Sequence, residues 1–227
     1  EGAKELIAPN FYDDNKEIKI PLDPTKTARE NSQKYFDRYG KLKRTAEALD
    51  TLLAETKAEI DHLESIQNSL DIALSADDLV QIKQELTEYG FIKKHRTGKK
   101  EKVKSKPFHY LSSDGYDMYV GKNNYQNDEL TFKFATGNDW WFHAKGMPGS
   151  HVIVKNKGEE MPDRVYEEAA MLAGYYSKGR ESDKIEIDYL QKKNVKKPAG
   201  SAPGFVVYYT NFSMTIHPDI SALTLLE

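Results

Sequence analysis

The sequence predicts an α+β protein in which a long helical coiled-coil arm is followed by a compact mixed α/β domain. Three observations lead there. Apolar residues recur at alternating steps of four and three from residue 28 to residue 74. Short alternating runs separated by turn residues fill the chain from Pro107 onward. Eighteen of the 25 aromatic residues lie in that second stretch, enough for a core of its own. A heptad period held this long specifies a coiled coil, and a period of two specifies strands.

Residues 1–23 read as a β-hairpin, ELIAPNFY and EIKIPLD joined by Asp13-Asp14-Asn15. It is expected to be the remnant of a domain that continues upstream, since the chain opens on Glu1 rather than Met. A helix begins near Asp23-Pro24-Thr25, with Asp23 or Thr25 as cap and Pro24 tolerated in the first turn. The coiled-coil arm is assigned to residues 24–92. Its seam runs through Ala28, Ser32, Tyr35, Tyr39, Leu42, Ala46, Leu49, Leu53, Thr56, Ile60, Leu63, Gln67, Leu70 and Leu74, of which eleven of fourteen are apolar. At 1.5 Å per residue, residues 26–74 would extend roughly 70 Å. The arm is electrically polar: residues 26–46 hold seven Lys/Arg and two acids, residues 47–74 one Lys and seven acids. Solvated charge pairs explain such a face, and so does a basic base near RNA with an acidic tip aimed at protein. Ser75-Ala-Asp-Asp restarts a shorter helix through about Tyr89, with Leu79, Ile82 and Leu86 on one side and Gly90 as its stop.

Residues 93–106 form a basic linker with eight Lys/Arg against Glu101 alone, a solvated tether compatible with phosphate contact. From 107 to 227 the pattern is that of the mixed domain. FHYLSS and YDMYVG flank Asp114-Gly115, a hairpin turn signature. Further strand candidates are LTFKFA, WWFHAK, HVIVK, KIEIDYL, FVVYYT and SMTIH. DRVYEEAAMLAGYYSK reads as a helix, with Asp163 as its cap and Ala169, Leu172, Ala173 and Tyr176 on one face.

Composition narrows function. With 38% hydrophobic and 30% charged residues the chain is a folded, soluble protein, and no run approaches the roughly 18 apolar residues needed to span a bilayer. It has no Cys, which excludes disulfides and thiolate metal sites and fits a reducing cytoplasm. Net charge is −3, but the basic charge is local, with Lys192 to Lys197 (KKNVKK) adding four lysines to the linker's cluster.

Candidate chemistry concentrates between Gly121 and Lys155. The amides Asn123, Asn124, Gln126 and Asn127 either cap a loop or recognise a ligand. Trp140 and Trp141 point to opposite sides of a strand, one to the core and one outward. His143 and His151 flank a Pro148-Gly149 turn with Asp139 nearby, but no His-Glu-x-x-His pattern accompanies them, so no metal or cofactor is expected. Ser150 beside His151 lacks a nucleophile-elbow context, so no catalytic residue is assigned. Lys192, Lys193, Asn194, Lys196 and Lys197 precede Pro198, Gly200, Pro203 and Gly204, a stiff basic loop that is either solvated or a phosphate clamp. Amides, outward aromatics, His and Lys in one domain favour RNA. The expected RNA-binding residues are Asn123, Asn124, Gln126, Asn127, Asp139, Trp141, His143, Lys145, Ser150, His151 and the five loop residues, converging on one exposed, stacking-competent face.

These residues carry a resemblance. Gly121-Lys-Asn-Asn-x-Gln126-Asn127, Asp139-x-Trp141-Phe-His143-Ala-Lys145, Pro148-Gly-Ser-His-Val152, Glu168-Ala-Ala170 and Lys193-Asn-Val-Lys-Lys-Pro198 through Pro203-Gly204 resemble the NFACT-R domain of the NEMF/RqcH family. Its bacterial members are also called FbpA or fibronectin/fibrinogen-binding protein. Ile20-Pro-Leu-Asp-Pro24 and Lys34-Tyr-Phe-x-x-Tyr39-x-Lys-Leu-Lys43 resemble that family's entry into its coiled coil. The resemblance implies a cytoplasmic ribosome quality-control factor that binds obstructed large (50S) subunits and tRNA and supports alanine tailing of stalled chains. It implies an upstream NFACT-N domain in cis holding the tailing residues, and a docking, non-enzymatic role for this C-terminal portion. The alternative it implies is an adhesin for host fibronectin or fibrinogen, displayed by non-classical export. A zinc-dependent hydrolase is disfavoured.

Overall fold

The computed structural model describes residues 2–93 and 105–226. Most of the predicted basic linker thus lies outside the described residues. The chain parts into two compact units, Glu1–Ala58 and Glu59–Glu227.

In the first unit, β1 (Glu5–Asn10) pairs antiparallel with β2 (Lys16–Pro21), Leu6 opposite Ile20 and Ala8 opposite Ile18. Asp14 and Asn15 turn the hairpin with positive φ (46° and 57°), a conformation that Asp and Asn tolerate better than other side chains. Helix α1 (Ala28–Ile72) follows. Its cap is Thr27 rather than Asp23 or Thr25. The Thr27 N–H and hydroxyl donate to Glu30 Oε2, and Glu30 N–H donates back to Thr27 Oγ1, the capping box written in Thr-x-x-Glu. Asp23 instead accepts from the Thr25 hydroxyl and N–H, which holds its carboxyl below the usual range. Buried Asn31 fastens this entry, accepting from Asp23 N–H and donating to the Asp23, Lys26 and Thr27 carbonyls.

In the second unit the last turns of α1 lie against α2 (Ala76–Glu88). Ser75 and Asp78 form a reciprocal capping box, and Gly90 ends the segment with φ +78°. The packed side of α1 is not the heptad seam. Ile66, Asn68, Ser69 and Ile72 are buried, while Ile60, Leu63, Leu70 and Leu74 are exposed. On α2 the buried residues are Asp78, Ile82 and Glu85, and Leu79 faces outward. Asn68 donates to the Tyr176 carbonyl and Ile72 enters the core on the sheet, while His62 meets Glu85 of α2, contacts that heptad counting of apolar residues does not register.

The rest is a seven-stranded antiparallel sheet. It comprises β3 (Phe108–Leu111), β4 (Asp117–Val120), β5 (Trp140–Ala144), β6 (Val152–Val154), β7 (Ile185–Gln191), β8 (Phe212–Ile216) and β9 (Thr224–Leu225), in the order β8-β7-β5-β6-β4-β3-β9. Four strand candidates, WWFHAK, HVIVK, KIEIDYL and SMTIH, therefore pair in one sheet with the Asp114-Gly115 hairpin. A short helix α3 (Asn124–Glu129), which the amide-rich sequence concealed, separates β4 from β5. Helix α4 (Asp163–Tyr175) lies on one face of the sheet, where Met118, Val120, Phe142, Val152 and Ile187 meet Val165, Ala169, Leu172 and Ala173. Pro162 rather than Asp163 is its cap. Two strand assignments fail. LTFKFA is a π turn, Leu130–Phe134, that continues α3. FVVYYT is irregular, with a bridge from Val207 to Lys196. Leu130, Ala135, Trp141, Ile153, Leu190 and Val195 form a second core on the face opposite α4.

Candidate nucleic-acid interface

The amides expected on the surface are inside. Asn123 caps α3, its Oδ1 accepting from Gln126 N–H at 3.0 Å and its Nδ2 donating to Gln81 Oε1 on α2 at 2.7 Å. Gln126 Nε2 donates to the same Gln81 oxygen and to Ser105 Oγ. Asn124 Nδ2 donates to Ser65 Oγ on α1 and Glu85 Oε1 on α2, and His62 Nε2 meets that Oε1 at 2.8 Å. Asn127 Oδ1 accepts from His151 N–H. All four amides and Glu85 are buried. Asn123, Asn124, Gln126 and Glu85 form the polar joint that seats α3 on the α1–α2 pair within this unit, and Asn127 ties α3 to the segment before β6, with no face left for a base. Glu85 Oε2 has no partner among the described residues.

Two glycines permit this joint. A Cβ on Gly121 would meet Asn127, including its backbone nitrogen at 2.9 Å. Gly204 has φ +76°, and a Cβ there would meet Asn124 Oδ1 at 2.9 Å. The Pro-Gly segment therefore closes against α3. Asp128 holds it, accepting from Gly204 N–H and pairing with Lys197 Nζ.

Trp141 is the inward tryptophan, at 0% exposure, so it cannot stack on a ligand base. Around it lie His143, His151 and Tyr208, with ring centroids 5.1 to 5.5 Å away. Burial pushes His143 down to about 4, with the Gly149 backbone, Asp188 and the Ala144 backbone opposing in part. His151 is lowered as well, by burial and by the neighbouring His143, and Thr131 Oγ1 meets its Nδ1 at 2.8 Å. Both imidazoles are neutral near pH 7. Ser150 is buried, its hydroxyl donating to the Gly121 carbonyl. Asp139 is buried too. Burial would raise its carboxyl, but Lys155 and the Asn156 and Thr136 N–H groups reverse that and hold it low. No group of three His, Cys, Asp or Glu among the described residues is arranged to hold a metal ion.

The exposed members of the predicted set are Lys145, Lys193, Asn194, Lys196 and Lys197. Lys145 pairs with Glu186 across the sheet at 2.6 Å. Lys192–Asn194 form a single 3-10 turn, with Lys193 N–H donating to Gly137 O and Lys192 N–H to Asp139 O. Val195 anchors the loop in the second core while Lys193, Asn194, Lys196 and Lys197 face solvent. Among the described residues neither Lys193 nor Lys196 has an acidic partner within 4 Å. The predicted set therefore divides into buried residues (Asn123, Asn124, Gln126, Asn127, Asp139, Trp141, Ser150, His151), a half-buried His143, an exposed Lys145 paired with Glu186, and the loop at residues 192–197, exposed at Lys193, Asn194, Lys196 and Lys197. Sequence reading missed Ser65, Gln81, Glu85 and Ser105, the acceptors of the joint. Their signal is polar residues on helix sides that a simple apolar seam would fill with leucines.

The comparisons with known proteins follow this division. Residues 1–105 match the model of the NFACT N-terminal and middle domains, and residues 106–209 that of the NFACT protein RNA binding domain. The protein named Rqc2 homolog RqcH from Streptococcus pneumoniae serotype 2 is 42% identical over 216 residues, covering 95% of this chain and 38% of that protein. Its Bacillus subtilis counterpart is 35% identical over 230 residues, covering 100% of this chain and 40% of the relative. The chain thus spans about two fifths of the curated relatives it matches. A solved structure, the C-terminal part of the fibronectin/fibrinogen-binding protein from Streptococcus suis (FBPS), superimposes with a TM-score of 0.77 at 42% identity, covering 86% of this chain and 77% of that one. Two family models matched in sequence order, together with a solved relative matched over most of both chains, establish that the chain belongs to the NEMF/RqcH (NFACT) family.

Proposed function

We propose that this chain is the C-terminal docking region of a ribosome-associated quality-control factor, acting in the cytoplasm. In this reading the 107–227 domain grips RNA of obstructed 50S subunits or their tRNA while an upstream NFACT-N domain supports alanine tailing. The observation that carries it is the lysine loop. In a domain matched to an RNA-binding family, Lys193 and Lys196 stand solvated on a loop whose backbone is tied to Gly137, Asp139 and Val207. Fixed cations of this kind position phosphates without reading sequence. In this reading the role of the loop is binding rather than catalysis. The exposed apolar positions Leu42, Leu49, Leu53, Ile60, Leu63 and Leu70 favour α1 as one strand of a coiled coil whose seam another helix covers.

Replacing Lys192, Lys193, Lys196 and Lys197 by Glu is expected to weaken 50S or tRNA association. The slope of log K against log salt should fall by about 1 for each phosphate that is no longer neutralised. Unchanged affinity and slope would remove the clamp. A second reading, adhesion to host fibronectin or fibrinogen, is favoured by the name of the Streptococcus suis relative. It requires saturable fibronectin binding that persists at physiological salt.

A further inference from the structure

The π turn reverses what a strand would do with its sequence. Leu130, Thr131 and Ala135 face inward, whereas Lys133 and Phe134 are exposed and Phe132 is half-buried. Each phenylalanine has a cation at its ring. Lys155 Nζ lies 4.8 Å from the Phe134 centroid and Lys192 Nζ 5.6 Å from that of Phe132. The half-buried Tyr119 meets Phe134 edge-on at 4.7 Å. His109, its direct partner across β3 and β4, stacks on it at 4.4 Å with the rings 9° from parallel. Lys193 lies against Gly137 just beyond the turn. The carboxylates here are engaged, Asp139 by Lys155 and Asp117 by His109.

We infer that Phe132 and Phe134, continued by Tyr119 and His109, form a base-stacking surface for single-stranded RNA, with Lys133, Lys192 and Lys193 placed for its phosphates. This rests on the RNA reading above and extends it from backbone to bases and from RNA in general to unpaired strands. Aromatic rings alternating with lysines match a chain that alternates flat π faces with anionic links. A duplex offers them nothing, because its bases already stack on one another and it is recognised by shape, 2′-hydroxyls and phosphate. An apolar protein partner would bury these ammonium groups without compensation.

The test is fluorescence anisotropy of the 227-residue chain with a short labelled single-stranded RNA and a duplex of equal length. The wild-type chain is expected to prefer the single strand. Phe134→Ala, at a side chain 41% exposed and so removable without unfolding the domain, is expected to weaken single-strand binding about 5- to 100-fold with an unchanged salt slope. Phe134→Trp should restore it. Lys193→Glu with Lys196→Glu should lower the slope instead. If Phe134→Ala binds as wild type while the lysine variant weakens, the stacking surface is wrong and the docking reading stands. If the wild-type chain binds neither RNA, or the lysine variant binds as wild type, the docking reading itself falls and takes the stacking surface with it. A preference for duplex overturns the stacking surface alone. Photo-crosslinking of a 4-thiouridine RNA gives a second readout. Adducts on Phe132, Phe134, Tyr119 or His109 support the assignment, and adducts confined elsewhere overturn it.

Discussion

Two stretches of the same domain, both rich in groups able to hold RNA, behave oppositely. Asn123 to Asn127 turns every amide inward, onto Gln81, Ser65, Glu85 and the backbone around His151. Phe132 to Phe134, five residues later, turns rings and a lysine outward. Hydrogen-bonding capacity therefore does not mark a surface. An amide buried with its partners closes a joint as firmly as leucines would, and with more geometric demand. A phenylalanine left outside beside a lysine is the more informative exception.

The contrast can be broken at the joint, where the largest effects are expected. Gly121→Ala forces a methyl into Asn127, with the backbone nitrogen as one obstacle, so thermal unfolding should show a loss of about 3 kcal/mol. Asn124→Ala strips Glu85 and Ser65 of a buried donor, and about 2 kcal/mol should go with it. If either variant instead lowers RNA affinity at an unchanged melting temperature, the amides are recognition groups after all.

A second expectation concerns acid. His143 titrates near 4 when folded against 6.5 when free, so the unfolded chain binds the extra proton between those values. Stability should fall as pH drops from about 6.5 toward 4, by up to about 3 kcal/mol from this residue, and gain nothing from it above 7. His151, lowered in the same direction, steepens the fall. Denaturant midpoints across that range, compared with a His143→Gln variant, measure it. The smallest effect belongs to the exposed lysines: Lys193→Glu and Lys196→Glu should leave the melting temperature nearly unchanged while altering salt-dependent binding.

Much of this architecture is legible. The strands at Ile185 and Phe212 alternate apolar and polar residues over most of their length, α4 shows its apolar face, and Ser75-x-x-Asp78 announces α2. The Thr27-x-x-Glu30 box is equally plain in the sequence, although Asp23-Pro24 just before it is the louder start signal. What cannot be read is set by tertiary packing. Asn, Tyr and Asp are poor helix formers, and α3 exists because Asn123 caps it and α2 seats it. LTFKFA has the alternation of a strand but follows directly from that docked helix and continues its winding as a π turn. The heptad count along α1 marks an apolar seam that stays exposed among the described residues, and it carries no sign of the side that packs within this unit. The joint on that side is made by His62 and Ser65 of α1, Glu85 of α2 and Asn124 of α3, all polar. Of the site, the lysine loop is readable by charge alone. The inward tryptophan is not, since alternation says that one of two neighbours is buried without saying which.

Asp128 has a consequence beyond its two bonds. Its carboxylate holds Gly204 with one oxygen and Lys197 with the other, while its helix is moored to α2. A phosphate that draws Lys197 away competes with that carboxylate and leaves the Pro-Gly segment secured by the Gly204 tether. In the proposed docking role, capture of a phosphate and loosening of the loop are linked through one side chain, because Lys197 has to leave Asp128 before it can serve another anion.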